Sequence, residues 1–340
     1  MAGIGVRRYF RHPSRVRLAR PVALPIASRS MKRLFPSRPG AKLAGVAALV
    51  LLTAFAAGCA TLEQKERELT FRVVKSDAGW YSGLPAQVQD LYLPVSSAPD
   101  APRTNAWWWP DDDPGAPVTY YLHGARWNLT GHLRRIEQLR GFGFSVLAID
   151  YRGFGKSDGE LPSEATVYED ARAGWEWLVA RQPDPARRFI YGHSLGGAVA
   201  IDLAARLAGS GVQARGLIVE STFTTLADIA AEMTFRWLPT DLILTQKFDS
   251  IAKIRKVAMP VLVVHGADDR LVPARFSEAL YAAAPTPKKL LLIENGSHNN
   301  SMWTGNGAYR QALIDLFGHD AVPQPGARIA RAGREGSLLP

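Results

Sequence analysis

The sequence predicts an α/β domain with a mostly parallel, doubly wound sheet, and three observations carry that expectation. Short apolar runs recur along the chain, segments of helical length separate them, and the connections are short. The runs are residues 118–122, 144–149, 188–191, 216–219, 261–264 and 290–293, at least six in all. Each is nearly continuous in apolar character rather than alternating, which fits central strands covered on both faces.

The intervening segments read as helices. Thr166 and Glu169 have the spacing of a capping box, after which Val167, Ala171, Trp175, Leu178 and Val179 recur at helical intervals. Residues 195–207 are apolar nearly all round, as suits a helix packed under a sheet. One longer interruption, about residues 222–256 with Trp237, Leu238 and Pro239, is read as a small lid. The domain is expected over residues 71–318, with a polar tether at 59–70 before it and a flexible tail, rich in Gly, Pro, Ala and Arg, at 319–340.

Of the 340 residues, 47% are hydrophobic and 21% charged, which describes a chain able to bury a sizeable core. The formal net charge of +10 is concentrated at one end. Residues 1–58 hold eleven Lys and Arg and no Asp or Glu, leaving 30 basic against 31 acidic side chains in the rest. The basicity therefore belongs to the leader, and nothing in the folded part points to nucleic acid. Residues 43–58 are uncharged and mostly apolar, shorter than the ~20 residues that span a bilayer and suited to the core of an export signal. A start at Met31 would give such a signal ordinary length, so residues 1–30 read as an over-called start.

That segment closes on Ala56-Ala57-Gly58-Cys59, and Cys59 is the only cysteine. The ending resembles the lipobox of bacterial lipoprotein signals, with Ala56 where Leu is the commonest choice. The resemblance implies acylation of the Cys59 thiol, export, and anchoring to a membrane of the cell envelope. With Cys59 so used, the domain has neither thiol nor disulfide.

The chemistry is read from three places. Gly192-His193-Ser194-Leu195-Gly196-Gly197 follows one apolar run and opens the apolar helix. A nucleophilic serine on a sharp strand-to-helix turn needs room on both sides, which the glycines two before and two after Ser194 supply. A serine hydroxyl also needs a base. Of His123, His132, His193, His265, His298 and His319, only His298 lies in a polar loop beyond the last strand, at the sheet edge that carries the turn. His132 opens a charged stretch (His132-Leu133-Arg134-Arg135) read as a solvated helix start, and His123 and His265 read as loop-shaping residues. The acid is expected after a late strand and before the histidine in chain order. Asp268 and Asp269 both stand there; Asp269 is chosen, with Glu220 as an outside candidate. Backbone donors for an oxyanion are assigned to Leu195 and to Ala125, where Gly124 lets the amide face the pocket.

The run Asp150-Tyr151-Arg152-Gly153-Phe154-Gly155-Lys156-Ser157-Asp158-Gly159, with His123-Gly124 before it and Pro162-Ser163-Glu164 and the Ser194 turn after it, resembles the α/β-hydrolase superfamily. More narrowly, it is similar to small esterase-like and serine-aminopeptidase-like members. The resemblance implies an α/β-hydrolase fold with little lid and a serine hydrolase cleaving an ester, thioester or related acyl bond of a small-molecule substrate. It implies no metal or organic cofactor. Ala125-Arg126-Trp127-Asn128 stands where that subgroup often has Asn after the early His-Gly, which bears on the pocket rim. Asp replaces the serine in dehalogenases, so that activity is not expected. A non-catalytic envelope protein using the fold as a binding module is the rival expectation. Trp107, Trp108, Trp109, Trp127 and Trp237 could line an acyl pocket, but packing is the favoured reading.

Overall fold

Alternate residues along the central strands feed two separate cores. Tyr120, Leu122, Leu217, Val219, Val261 and Val263 join one cluster, while Tyr121, Ile218, Leu262 and Val264 join the other. A strand side chain points to opposite faces at successive positions, so continuous apolar runs place buried groups on both sides of the sheet. The computed structural model describes residues 39–233 and 239–318. The leader residues 1–38, Trp237 and Leu238, His319 and the rest of the tail lie outside them.

Among the described residues, eight strands form one sheet in the order β1-β2-β4-β3-β5-β6-β7-β8. They are β1 (Gln89–Pro94), β2 (Arg103–Trp109), β3 (Val118–Leu122), β4 (Ser145–Ile149), β5 (Arg188–His193), β6 (Gly216–Glu220), β7 (Val261–Gly266) and β8 (Lys288–Ile293). From β4 to β8 all neighbours are parallel; β1 and β2 add an antiparallel edge. Those two edge strands are absent from the sequence expectation. β1 is mostly exposed, and Asn105 interrupts the apolar character of β2, where its side chain binds the Asp90 carboxylate and the Leu91 carbonyl.

The helices are α1 (Pro39–Phe71), α2 (Leu129–Gly141), α3 (Glu164–Arg181), α4 (Leu195–Leu207), α5 (Leu226–Met233), α6 (Thr240–Ile243), α7 (Ser250–Ile254), α8 (Arg275–Ala283), α9 (Ser301–Thr304) and α10 (Asn306–Phe317). One face of the sheet is covered by α3, α4, α7 and α8, through residues such as Trp175, Val199, Ile254 and Leu280. The other face is covered by α2 and α10, through Ile136, Leu139, Tyr309 and Leu313.

Three local expectations need correction. The cap of α3 is Ser163, whose hydroxyl accepts from Thr166 N–H while the Thr166 hydroxyl accepts from Ser163 N–H. The helix thus starts three residues earlier than the Thr166–Glu169 pair suggests, and Glu169 pairs with Arg152 instead. The stretch 132–135 is not a solvated helix start. Asn128 caps α2, and its inward stripe then includes Arg135, Ile136 and Leu139, with Arg135 buried. Residues 59–70 are helical rather than a loose tether. The Glu66 carboxylate accepts from Thr245 N–H, the Thr245 hydroxyl and Gln246 N–H, Arg67 donates to the carbonyls of Leu161 and Pro162, and Phe71 is buried edge-on to Phe248.

The chain divides within α1 into two units, Met1–Ala54 and Phe55–Pro340. Among the described residues no helix is long and apolar enough to cross a membrane.

Candidate active site

The chain runs from β3 leftward to β4 and then returns to β5 on the other side of β3. Such a reversal opens a crevice at the carboxyl ends of the two strands, where ligands of open α/β sheets bind. Ser194 follows β5 at this crevice, and His123-Gly124-Ala125 follows β3.

Ser194 has φ 55° and ψ −122°, a conformation that costs a non-glycine residue of order 1–3 kcal/mol and persists only when its surroundings enforce it. Here they do. A Cβ at Gly192 would lie 2.2 Å from the Gly196 carbonyl oxygen, and one at Gly196 would lie 2.1 Å from the Leu122 carbonyl oxygen. Only glycines let strand, turn and helix approach this closely. The Ser194 N–H donates to the Glu220 carbonyl at 2.9 Å, and its own carbonyl accepts from Gly197 N–H and the Thr222 hydroxyl.

The β3 loop sits directly against the serine: a Cβ at Gly124 would be 3.1 Å from Ser194 Cβ. The His123 ring, fully buried, holds the Gly124 carbonyl through Nδ1 at 2.7 Å. A trans peptide points its carbonyl and its N–H in opposite directions, so capturing the Gly124 oxygen turns the Ala125 N–H the other way. Neither that N–H nor the one of Leu195, in the unpaired first turn of α4, donates to a protein acceptor among the described residues.

Asp269 lies in the turn after β7, and His298 lies in the loop after β8. His298 Nδ1 is 2.8 Å from Asp269 Oδ2. The other carboxylate oxygen accepts from Leu271 and Val272 N–H, both at 2.9 Å. Burial pushes the Asp269 carboxyl up, but bonds from His265 and His298 and from the Val272 N–H outweigh it and hold the group well below the usual carboxylate range. Its neighbour Asp268 is exposed, and among the described residues only its N–H is engaged, by the Gly296 carbonyl. Asp269 and His298 are thus brought together, and Asp268 is left outside.

The serine side meets this pair through His193. Its Nε2 is 2.8 Å from the His298 carbonyl oxygen, and the two rings are 4.9 Å apart. Burial pushes the His193 ring well below the usual histidine range, with the positive charge of Arg135 acting in the same direction, and because a carbonyl oxygen only accepts, Nε2 donates that bond. The Ser194 hydroxyl forms no hydrogen bond with His298 in this conformation. Such bonds are often long without substrate and tighten when it binds.

Glu220, the outside candidate for the acid, is buried and forms no hydrogen bond with the His298 ring. Its carboxylate instead takes Arg135 at 2.6 Å, the Tyr191 and Ser301 hydroxyls at 2.7 Å, and the Tyr309 hydroxyl at 3.2 Å. His265 contributes more than the loop-shaping role expected of it: its ring binds the Val272 carbonyl and the Ser277 hydroxyl and lies 3.2 Å from Asp269 Oδ2. A buried histidine four residues before the acid was the available signal.

Four of the five tryptophans considered for a pocket pack instead. Trp107 stacks on Tyr81, Trp108 meets Trp177 edge-on, Trp109 lies under Arg140, and Trp127 abuts Trp80. Cys59 is exposed within α1.

Comparison with known proteins fits this architecture. The sequence pattern of the serine aminopeptidase S33 family matches residues 116–248. The chain is 37% identical over 208 residues to an uncharacterized protein of Mycobacterium tuberculosis, covering 61% of this chain and 72% of that one. It is 31% identical over 236 residues to the uncharacterized protein YfhR of Escherichia coli, covering 67% and 81%. It is 35% identical over 188 residues to the lysophosphatidylserine lipase ABHD12 of Danio rerio, about half of each chain (51% and 49%). Among solved structures, an esterase of Pyrococcus furiosus superposes with a TM-score of 0.56 at 20% identity, over 72% of this chain and 98% of that one. The chain belongs to the α/β-hydrolase superfamily, and its relatives place it among the hydrolases of that fold.

Proposed function

We propose that the protein is a serine hydrolase that cleaves carboxylic esters through an acyl-enzyme. The observation that carries this reading is the 2.8 Å bond between His298 and a buried Asp269, joined through His193 to the strained Ser194 turn. In the first step His298 Nε2 takes the Ser194 proton as Oγ attacks the ester carbonyl. The Ala125 and Leu195 amides hold the resulting oxyanion, and Asp269 fixes the imidazole tautomer and stabilises the imidazolium. Collapse expels the alcohol, which leaves with the proton from His298. Water then attacks the acyl-enzyme by the same route in reverse, releasing acid and free Ser194.

One relative supports esters over amides by sequence, the lysophosphatidylserine lipase. Monoacyl lipid esters are therefore the first substrate class to test. Exposure of Cys59 and the apolar segment before it support acylation of that thiol and attachment to an envelope membrane. Cys59→Ser should abolish incorporation of a labelled fatty acid in cells, and undiminished incorporation would remove the anchor.

A fluorophosphonate probe tests the catalytic reading. Wild-type protein should be labelled on Ser194, and Ser194→Ala should not. A folded wild-type preparation that resists the probe would favour a binding module over an enzyme. A panel of p-nitrophenyl esters then ranks acyl length: rising kcat/KM beyond about eight carbons supports lipid substrates, and inertness toward every ester redirects the search to amides.

A further inference from the structure

Inside the sheet's carboxyl edge lies a buried ion pair that the mechanism above does not use. Arg135 comes from α2 and Glu220 from the end of β6; they are 7% and 0% exposed, with Nη1 and Oε1 2.6 Å apart. Burying two charges is costly, and an apolar pair of similar volume is often as stable or more so. The pair therefore needs a reason beyond stability, and its contacts provide one.

Glu220 touches both halves of the site. Its backbone carbonyl receives the Ser194 N–H at 2.9 Å, and β6 pairs with β5 so that Glu220 stands opposite His193. Its carboxylate receives the Ser301 hydroxyl at 2.7 Å, three residues beyond His298. Arg135 reaches the same segment as well, donating from Nη2 to the Asn299 carbonyl at 3.0 Å. His193 adds its bond to the His298 carbonyl. Three closely spaced anchor points, at 298, 299 and 301, thus tie the histidine loop to β5, α2 and β6. Tyr191 and Tyr309 occupy the carboxylate's remaining lone pairs and fix its orientation.

We propose that Arg135 and Glu220 are positioning residues that set the distance and angle between His298 and Ser194, acting as a polar strut across the sheet edge. The inference rests on the catalytic reading of Ser194 and His298. It says that the pair is held for geometry: with the strut gone, the loop after β8 keeps its acid contact through Asp269 but loses its register against the nucleophile. A displacement of about 1 Å at a reacting group can lower the rate roughly 10²-fold.

Removing one partner alone leaves a buried charge unpaired and endangers folding. The decisive variant is accordingly the double replacement Arg135→Met with Glu220→Leu, compared with wild type and with Ser301→Ala. Folding is checked by circular dichroism and the urea midpoint, and competent sites are counted by fluorophosphonate titration. With an active p-nitrophenyl ester, kcat per titrated site should fall at least about 30-fold in the double variant while KM stays within about threefold. Ser301→Ala, which removes a single anchor, should lose severalfold in the same quantity.

A purely structural role would lower the number of titratable sites and leave kcat per site unchanged, and that result overturns the strut. If the double variant does not fold, an unchanged kcat per site in folded Ser301→Ala overturns it equally. Wild-type protein that fails to label at all removes the catalytic reading itself, a different result from a labelled wild type matched by its variants.

Discussion

The two halves of the site are held in place by different physics. The Ser194 turn is fixed by volume: glycines at 192 and 196 bring backbone within contact of backbone, and any added carbon would collide with a carbonyl oxygen. The His298 loop is fixed by polar bonds, from His193, Arg135, Glu220 and Asp269. Steric closure tolerates no compromise and leaves a fixed residue pattern. A polar lattice can be assembled from many residue types arriving from many places, so it leaves little trace in any short stretch of sequence.

Perturbations can separate the two modes. The largest effect is expected from Asp269→Asn, which keeps the shape of the acid but favours the wrong imidazole tautomer; kcat should fall about 10⁴-fold with folding retained, as measured by steady-state kinetics and circular dichroism. A loss below tenfold would place the orienting acid elsewhere. Gly196→Ala attacks the volume-held half. Its new methyl meets the Leu122 carbonyl, and since backbone cannot step aside as a side chain can, the cost should reach about 3 kcal/mol or more in urea unfolding. A variant as stable as wild type would show that the turn has slack.

Acid pH attacks the polar half. The Asp269 carboxyl sits well below its usual range in the fold, against the push of burial, because of His265, His298 and the Val272 N–H. Its folded value lies below its unfolded one, so this stabilisation is complete above about pH 4 and is lost as pH falls further. Urea midpoints at pH 6 and pH 3 should therefore diverge more for wild type than for Asp269→Asn; equal divergence would mean that other carboxylates dominate. The smallest effect belongs to exposed Asp268. Asp268→Asn should change kcat/KM by no more than about twofold, and a larger loss would bring its side chain into the site.

The same contrast decides what could be read in advance. The parallel strands, the Ser194 turn and the α4 helix were legible because burial on both faces and backbone contact demand particular residues at particular spacings. The antiparallel pair β1 and β2 was not, since β1 is mostly exposed and the buried β2 carries Asn105 and a row of tryptophans without a clear period. Arg135 was misplaced for a related reason. A charged residue on a helix usually faces water, and only Glu220, 85 positions away, makes an inward arginine sensible. The pairing of Asp269 rather than Asp268 with His298 follows from which carboxylate the turn after β7 folds inward, where His265 and two backbone N–H groups receive it.

The grip of Glu66 on Thr245 and Gln246 has a consequence for reach. Seven helical steps separate it from Cys59, a rise of about 10 Å along a stiff rod. An acyl group on that thiol would leave the enzyme no leash. Thr245 and Gln246 would then ride within a couple of helical turns of the lipid headgroups, and an ester resident in that leaflet would reach a hydrolase held there by lateral drift instead of by escape into water.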